Sequence, residues 1–344
     1  MNLLEVKNLN TSFHIGVGTV QAVRGISFHV AQGESLGIVG ESGSGKSVTM
    51  LSVTGLLPYN AEISSDSITF DGREISGLSK KEMRKLHGSE IGMIFQDPMT
   101  SLNPLFTVEN QLTEPLKIHR HMDKASAREK ALALLRQVDI PNPEARLKQY
   151  PHELSGGLRQ RVMIAIAIAC APKLIIADEP TTALDVTVQA QILELIRRLA
   201  RENGTAVIMI THDLGVVASL CDRIAVLYGG KVCETGTADE IFYETKHPYT
   251  AGLLRSVSRR AASGGKTARG TLQSIPGTPP DLLHLGSGCP FAARCGEAMK
   301  ICRDYYPAET AFGGEHSAAC WLWCREKAAE LTEAQDRERG ERHG

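Results

Sequence analysis

Residues 40–47 read GESGSGKS and match G-x-x-x-x-G-K-[ST], the pattern of a loop that cradles nucleotide phosphates. The apolar segment SLGIV (residues 35–39) precedes the motif and a plausible helix follows it, which is the context that the pattern requires. The alternative is a glycine-rich turn without a ligand, and the flanking strand and helix disfavour it. The stretch therefore predicts a nucleotide site and a fold built around a parallel sheet.

The chemistry of this loop follows from its residue types. Glycines let backbone amides turn toward the phosphates, and the helix N-terminus adds a partial positive charge. Lys46 would reach the β- and γ-phosphates, and the Ser47 hydroxyl would bind magnesium. The predicted phosphate-binding residues are Gly40, Ser42, Gly43, Ser44, Gly45, Lys46, Ser47 and Val48.

A second motif, LIIADEP (residues 174–180), supplies two carboxylates directly after an apolar strand. Asp178 can hold magnesium, and Glu179 can polarise an attacking water molecule. In isolation such a pair often only caps a strand. Beside a phosphate loop it predicts a hydrolytic site.

The pattern of apolar segments predicts an α/β fold. Residues 35–39, 174–177 and 206–210 read as buried strands of a parallel sheet, and residues 20–30 read as a further strand. Residues 188–203 show helical spacing between two of these strands, with Gly204 as a plausible C-cap, which gives a βαβ unit. Residues 101–172 predict an inserted helical subdomain, and residues 223–236 a hairpin that turns at Gly229 and Gly230.

Composition restricts the class of protein. The chain has 344 residues, 42% of them hydrophobic, and a net charge of −1, so no global basic field favours nucleic acid as a partner. The N-terminus does not resemble a secretory signal, and no apolar run approaches the ~20 residues that cross a bilayer. We expect a cytosolic protein. Small and polar residues predict a linker over 256–274, and the mostly charged residues 326–344 predict a solvated tail.

The segment LSGGLRQR (residues 154–161) lies between the two motifs and resembles the signature of ATP-binding cassette (ABC) ATPases. Other segments fit the same family: Gln96 in IFQDP resembles the Q-loop glutamine, Asp185 in ALD the D-loop, and His212 in ITHD the switch histidine. Phe13 lies where this family places an aromatic residue that stacks on adenine. Leu158 departs from the family, which usually has Met or Gln there, and we expect a mild effect.

Longer segments narrow the resemblance. FQDPMTSLNP, YPHELSGG, ADEPTTALDVT, HPYT and IPGTPP together resemble ATPase subunits of bacterial dipeptide and oligopeptide importers, with the dipeptide group as the nearest match. The resemblance extends over roughly residues 3 to 325. It implies a P-loop (RecA-like) core with an antiparallel β subdomain and the inserted helical subdomain within residues 1–255. A cysteine-rich extension would follow over residues 275–325.

The resemblance also implies a catalytic cycle. Two cassettes would pair head to tail around two ATP molecules, and Ser155, Gly156 and Gly157 of one would face the nucleotide held by the other. Glu179 would be the general base, and His212 would bridge the γ-phosphate and Glu179. Gln96 would contact the magnesium ion and the water. The implied partners are a second, similar ATPase, two membrane permease subunits and an extracytoplasmic peptide-binding protein, which places the chain at the cytoplasmic face of the membrane.

Three alternatives to a peptide importer share parts of this pattern. Importers of nickel or glutathione share the motifs, so the cargo stays open. A soluble ABC ATPase of DNA repair or translation would carry two cassettes or a long coiled-coil insertion, and neither is present here. A non-catalytic cassette would have lost Lys46, Glu179 or His212, and all three are intact.

Four of the eight cysteines follow the spacing C-x5-C-x6-C-x17-C, at Cys289, Cys295, Cys302 and Cys320. In a cytosolic protein such a group indicates metal chemistry more than disulfides. The residues allow a [4Fe-4S] cluster, a zinc site or plain buried thiols, with Cys324 as an alternative fourth ligand. The wide spacing and the importer resemblance favour the cluster, in a structural role.

Overall fold

The computed structural model describes residues 2–182, 184–262, 275–328 and 330–331. The strands of these residues are β1 (Asn2–Ile15), β2 (Gly18–Ala31), β3 (Ser35–Val39), β4 (Ala61–Ser64), β5 (Ser67–Phe70), β6 (Arg73–Glu74), β7 (Ile91–Ile94), β8 (Leu174–Asp178), β9 (Ala206–Thr211), β10 (Arg223–Tyr228), β11 (Lys231–Thr237), β12 (Thr310–Gly313) and β13 (His316–Ala318). The α-helices are α1 (Lys46–Val53), α2 (Lys80–Leu86), α3 (Pro98–Ser101), α4 (Val108–Arg120), α5 (Lys124–Gln137), α6 (Pro143–Arg146), α7 (Gly156–Ile168), α8 (Val186–Asn203), α9 (Leu214–Leu220), α10 (Ala238–Tyr243), α11 (Pro248–Ala262) and α12 (Ile301–Asp304).

The strands form two sheets. An antiparallel sheet has the order β2-β1-β5-β6, with β4 also paired to β1. A larger mixed sheet has the order β12-β13-β11-β10-β3-β9-β8-β7, and its strands from β10 to β7 are parallel. The predicted α/β core with an antiparallel β subdomain is therefore confirmed.

The two faces of the mixed sheet belong to two hydrophobic cores. Every residue of β9 is buried, which explains why its sequence is a continuous apolar run and not an alternating one. Val207 and Met209 join the core beneath the helices, whereas Ile208 and Ile210 join the core beneath the antiparallel sheet. The central strands thus hold the helical layer and the antiparallel sheet together.

The predicted βαβ unit and hairpin are present. Helix α8 connects β8 to β9 and ends at Gly204, which has a φ of +62°. The hairpin of β10 and β11 turns at Gly229 and Gly230, whose φ angles of +53° and +76° suit the two central positions of a type I′ turn. Helices α3 to α7 follow β7 as an inserted helical layer.

The C-terminal part differs in two places from the predicted boundaries. Helix α11 extends to Ala262, because the arginine and alanine residues at its end favour helix, so the predicted linker of residues 256–274 begins inside a helix. Residues 263–274 and 332–344 lie outside the described residues. Within the predicted tail, Ala328 is buried against Ile301 and Trp321.

Candidate functional site

The phosphate loop joins β3 to α1 in a conformation that needs glycine. A Cβ at Gly40 would clash with the carbonyl oxygen of Leu227, and one at Gly45, where φ is +98°, would stand 2.5 Å from the carbonyl oxygen of Ala22. The loop therefore lies directly against the hairpin strand β10 and against β2. The backbone of the phosphate loop is therefore packed on two sides by strands of the chain itself.

Lys46 is buried at the start of α1 and points back into the loop. Its Nζ donates hydrogen bonds to the carbonyl oxygens of Gly40 at 2.8 Å and Glu41 at 3.0 Å. Burial lowers the pKa of Lys46, whereas the nearby carboxylates of Glu179, Asp178 and Glu41 oppose that shift. The ammonium group is therefore fixed where the loop can bind phosphate.

Ser47 and Asp178 form a direct pair. The Ser47 hydroxyl donates to Asp178 Oδ1 at 2.8 Å, although the residues are far apart in sequence. Burial raises the pKa of Asp178, and the hydrogen bond from Ser47 opposes that shift. A hydroxyl and a carboxylate side by side are oxygen ligands of the kind that Mg²⁺ takes.

Glu179 is the centre of a small hydrogen-bond network. Gln96 Nε2 donates to Glu179 Oε2 at 3.1 Å, and the Thr182 hydroxyl donates to the same oxygen at 2.9 Å. His212 Nδ1 lies 3.3 Å from Glu179 Oε1. The His212 side chain is 64% exposed and that of Glu179 only 16%, so the carboxylate is enclosed while the imidazole faces outward. The arrangement suits a base oriented by its neighbours.

Most of these groups line one cleft of about 610 Å³, and Asp178 and Thr182 contact it through Ser47 and Glu179. Its lining combines the phosphate loop and Val48 with Gln96, Glu179 and His212, and Leu253 of α11 completes the wall. The sequence did not single out Leu253 or Thr182. Thr182 lies within the ADEPTTALDVT motif, but the motif alone does not indicate a role for its hydroxyl.

Other predicted site residues lie elsewhere. Phe13 is a half-buried residue of β1 that pairs with β2 and β4. Ser155 precedes α7 and is exposed together with Gly156, whereas Gly157 is half-buried; in the described chain the Ser155 hydroxyl makes no capping hydrogen bond. Asp185 caps α8 by accepting from the Val188 N–H at 3.0 Å. Leu158 packs at the edge of the larger core.

Comparison with known proteins identifies the family. A family model described as "ABC transporter" matches residues 23–182, and one described as "Oligopeptide/dipeptide transporter, C-terminal region" matches residues 233–302. The dipeptide transport ATP-binding protein DppD of Bacillus subtilis (strain 168) is 54% identical over 321 residues, covering 93% of this chain and 94% of that protein. The chain belongs to the ABC transporter family.

Two further relatives agree with this assignment. The oligopeptide transport ATP-binding protein OppD of Salmonella typhimurium is 52% identical over 319 residues, covering 93% of each chain. A dimeric ATP-binding cassette solved in a post-hydrolysis state with ADP and Pi has a TM-score of 0.62 and 30% identity, covering 68% of this chain and 98% of that one. Accordingly, this chain is an ABC ATPase that binds ATP and Mg²⁺ and hydrolyses ATP. In the part that the structure describes, no helix has both the length and the apolar character to span a membrane.

The phosphate loop of this ABC ATPase is also held from the C-terminal side. The Glu41 N–H donates to the Tyr249 hydroxyl at 2.8 Å, and the Gly230 N–H donates to the Ser44 carbonyl at 3.1 Å. Arg294 forms a salt bridge with Glu41, with 2.6 Å between Nη1 and Oε2. The sequence interpretation missed these contacts, although Tyr249 belongs to the HPYT motif.

The four spaced cysteines of the ABC ATPase converge. Cys289, Cys295, Cys302 and Cys320 line one small cavity of about 20 Å³ with mostly apolar neighbours. Burial raises the pKa of Cys289 to about 12 and that of Cys320 to about 11. Among the described residues, no three Cys, His, Asp or Glu side chains are grouped closely enough to hold a metal ion.

Cys324 is not among the residues that line this cavity. Its Sγ lies 3.1 Å from the Thr310 hydroxyl, and its side chain packs at the edge of the small cluster of Ile301, Trp321 and Ala328. Cys170 and Cys221 are buried elsewhere in the core. The buried Cys233 lies near Cys289 and Cys320, and burial together with these two neighbours raises its pKa.

Proposed function

We propose that this chain is the ATP-hydrolysing subunit of an importer of dipeptides or oligopeptides. The observation that carries the proposal is a match along 93% of the chain to a protein named for dipeptide transport. A second match, over residues 233–302, is to the C-terminal region of oligopeptide and dipeptide transporters. The complete set of polar groups around the cleft supports an active ATPase over a non-catalytic cassette.

The residue roles follow from the cleft. Lys46 and the loop amides hold the β- and γ-phosphates, and Ser47 with Asp178 holds Mg²⁺, with Gln96 contributing to metal and water contacts. Glu179 is the general base, oriented by Gln96 and Thr182. His212 is exposed beside Glu179, where it can bridge that residue and the γ-phosphate.

A second cassette completes the site in this proposal. The exposed Ser155, whose hydroxyl makes no capping hydrogen bond in the described chain, suits a partner's γ-phosphate together with Gly156 and Gly157 at the start of α7. In this proposal the D-loop residue Asp185 contributes to the interface between the two cassettes, and Phe13 stacks on adenine. The partner is a homologous ATPase, and two permease subunits and an extracytoplasmic peptide-binding protein complete the importer at the cytoplasmic face of the membrane.

Peptide-dependent ATP hydrolysis by the assembled importer tests the cargo. The complex is purified with its binding protein, reconstituted in proteoliposomes and assayed with peptide, nickel or glutathione. We expect di- or oligopeptides to stimulate hydrolysis and to enter the vesicles, and Glu179→Gln to abolish both effects. Stimulation by nickel or glutathione alone would contradict a peptide cargo.

We also propose that Cys289, Cys295, Cys302 and Cys320 hold a [4Fe-4S] cluster. Four thiols around one cavity match the ligand number of such a cluster, and burial raises the pKa of Cys289, Cys295 and Cys320, which favours the protonated thiols until a metal binds. The thiols must draw together on binding, because no three of them are at metal-binding distances in the described structure. The cluster would fasten the extension to the cassette.

Cys324 provides a matched control for the cluster. The chain is purified without oxygen and its iron, acid-labile sulfide and zinc are quantified. We expect about four iron and four sulfide per chain, lost in Cys320→Ser and retained in Cys324→Ser. Zinc alone, or neither metal, would contradict the cluster.

A further inference from the structure

One turn of the extension, residues 289–295, carries two of the four cavity cysteines and a contact to the phosphate loop. Cys289 and Cys295 line the cysteine cavity, and Arg294 immediately precedes Cys295. The Arg294 side chain is only 6% exposed and reaches Glu41, the second residue of the phosphate loop. The two sites are thus joined through a single residue.

The contact between Arg294 and Glu41 is bidentate. Nη1 donates to Glu41 Oε2 at 2.6 Å and Nη2 donates to Oε1 at 3.1 Å. The guanidinium also donates to the Tyr228 hydroxyl at 3.0 Å and to the carbonyl oxygens of Ile275 and Pro276. A planar guanidinium with this many partners fixes the direction of the carboxylate, which a lysine could not do equally well.

Glu41 needs such a partner because of where it lies. It lines the phosphate cleft, where an unpaired carboxylate would repel the nucleotide polyanion. Its carbonyl oxygen also accepts a hydrogen bond from Lys46 Nζ, and its N–H donates to the Tyr249 hydroxyl. Displacement of Glu41 would therefore change both the charge of the cleft and the position of Lys46.

The turn that carries Arg294 packs on aromatic residues next to the phosphate loop. Phe291 packs against Tyr228 at 5.2 Å and Tyr249 at 5.3 Å between ring centroids. Tyr249 is the residue that accepts the Glu41 N–H. A shift of the turn would consequently move Glu41 in two ways, through its salt bridge with Arg294 and through its hydrogen bond with Tyr249.

We propose that Arg294 is a positioning residue that makes ATP affinity depend on the position of the cysteine-rich turn, residues 289–295. It neutralises Glu41 and holds the loop backbone around Lys46. The inference rests on the proposed phosphate site. A change at Cys289 or Cys295 that shifts the turn reaches the ATP site through Arg294.

The test measures the affinity of the full-length chain for a fluorescent ATP analogue with Mg²⁺. We expect Arg294→Ala to weaken binding about tenfold, a change equivalent to ~1.4 kcal/mol, and Arg294→Lys to recover part of it. Arg303→Ala, at an exposed arginine of the same extension, should bind like the wild type. Melting temperatures are recorded in parallel.

A double-mutant cycle separates pairing from packing. In a Glu41→Gln background the further change Arg294→Ala should alter affinity less than twofold, because the carboxylate that it neutralises is gone. Wild-type affinity in a folded Arg294→Ala chain overturns the proposal. An equal loss of nucleotide affinity in the wild-type and Glu41→Gln backgrounds also overturns it. If Arg294→Ala does not fold, the nucleotide affinity of Arg294→Lys is measured in the wild-type and Glu41→Gln backgrounds instead. Wild-type affinity of Arg294→Lys, or an equal loss in both backgrounds, would then overturn the proposal.

The link to the turn has its own measurement. Cys295→Ser should weaken nucleotide binding in the wild type and have a smaller effect in the Arg294→Ala chain, where only the route through Tyr249 remains. Additive losses would overturn the link. Lys46→Ala tests the phosphate site itself: if it binds nucleotide like the wild type, the proposed function fails, whereas loss in Lys46→Ala with no loss in Arg294→Ala contradicts only the inference.

Discussion

Glu179 has a φ of +44°, a left-handed conformation that costs a non-glycine residue roughly 1–2 kcal/mol. Its N–H donates to the Ile210 carbonyl at 2.9 Å, and its carboxylate is held by Gln96 and Thr182. The surrounding contacts therefore fix both the backbone and the side chain. Strain of this kind is often found at catalytic positions.

Replacement of this carboxylate tests the base directly. Glu179→Gln keeps the shape but removes the charge, so we expect ATP to stay bound and hydrolysis to fall at least ~100-fold. Trapped nucleotide and phosphate release are measured on the assembled complex. Glu194→Gln, on the exposed side of α8, is the control and should hydrolyse ATP normally. Hydrolysis near the wild-type rate in Glu179→Gln would exclude it as the base.

His87 predicts a pH effect on stability. It is half-buried at the end of α2, with its Nε2 2.9 Å from the Thr54 carbonyl oxygen, and burial lowers its pKa. The unfolded chain therefore protonates His87 first, and stability falls as the pH drops below about 6.5.

Urea unfolding at pH 7.5 and 5.5 measures this effect. The wild type should lose more free energy of unfolding between these values than His87→Asn, which keeps a donor for Thr54 but cannot titrate. His284→Asn, at a side chain that is 77% exposed, should behave like the wild type. Identical pH dependence in wild type and His87→Asn would refute the assignment.

Some residues of the site could be predicted from the sequence and others could not. Ser47 and Asp178 follow buried strands, so their meeting at one sheet edge was predictable. Arg294 and Glu41 are 253 residues apart, and Arg294 stands in a turn without periodicity, so no local pattern relates them. The left-handed backbone of Glu179 was equally invisible, since it depends on tertiary contacts.

At the scale of elements, the packing of α7 on β7 decides where the Ser155 end of that helix points. Gly92 of β7 lies so close to α7 that a Cβ there would clash with the Ala167 carbonyl oxygen and stand 3.2 Å from Pro172. The helix therefore lies directly on the strand backbone. The sequence predicted both elements but not this close approach, which a single glycine in a short strand does not specify.

Gly92→Ala should separate this helix from its strand. We expect a loss of about 1–3 kcal/mol in the free energy of unfolding and a lower rate of ATP hydrolysis in the assembled importer. Gly77→Ala is the matched control, because an added Cβ there meets open space. Denaturant unfolding of both variants is the measurement. Equal stability of the two would show that α7 can shift without cost.

At the scale of the whole molecule, residues of this chain line one side of the cleft, and the cleft is open to solvent where His212 is exposed. Ser155 is exposed at the N-terminus of another helix, which suits a site completed by a partner. Such an arrangement separates nucleotide binding from hydrolysis. In the proposed arrangement, nucleotide binding needs one chain and hydrolysis needs two.

Ser155→Arg tests that separation. The bulky cation should prevent closure of two cassettes, so the full-length chain still binds nucleotide while the assembled importer loses hydrolysis by at least ~100-fold. Thr100→Arg, at an exposed residue of α3, is the control and should leave closure intact. Normal hydrolysis by an importer that carries Ser155→Arg would rule out this role.

The mixed sheet ends in β13 and β12, which belong to a segment about 75 residues later in the chain than β11; β13 pairs with β11, and β12 pairs with β13. During synthesis, β11 leaves the ribosome before β13 has been made. Until then β11 is an unpaired edge strand, with which other chains could pair. A fragment ending at residue 255 would keep this edge permanently. We therefore expect such a fragment to aggregate where the full-length chain stays dispersed, which light scattering after refolding would reveal.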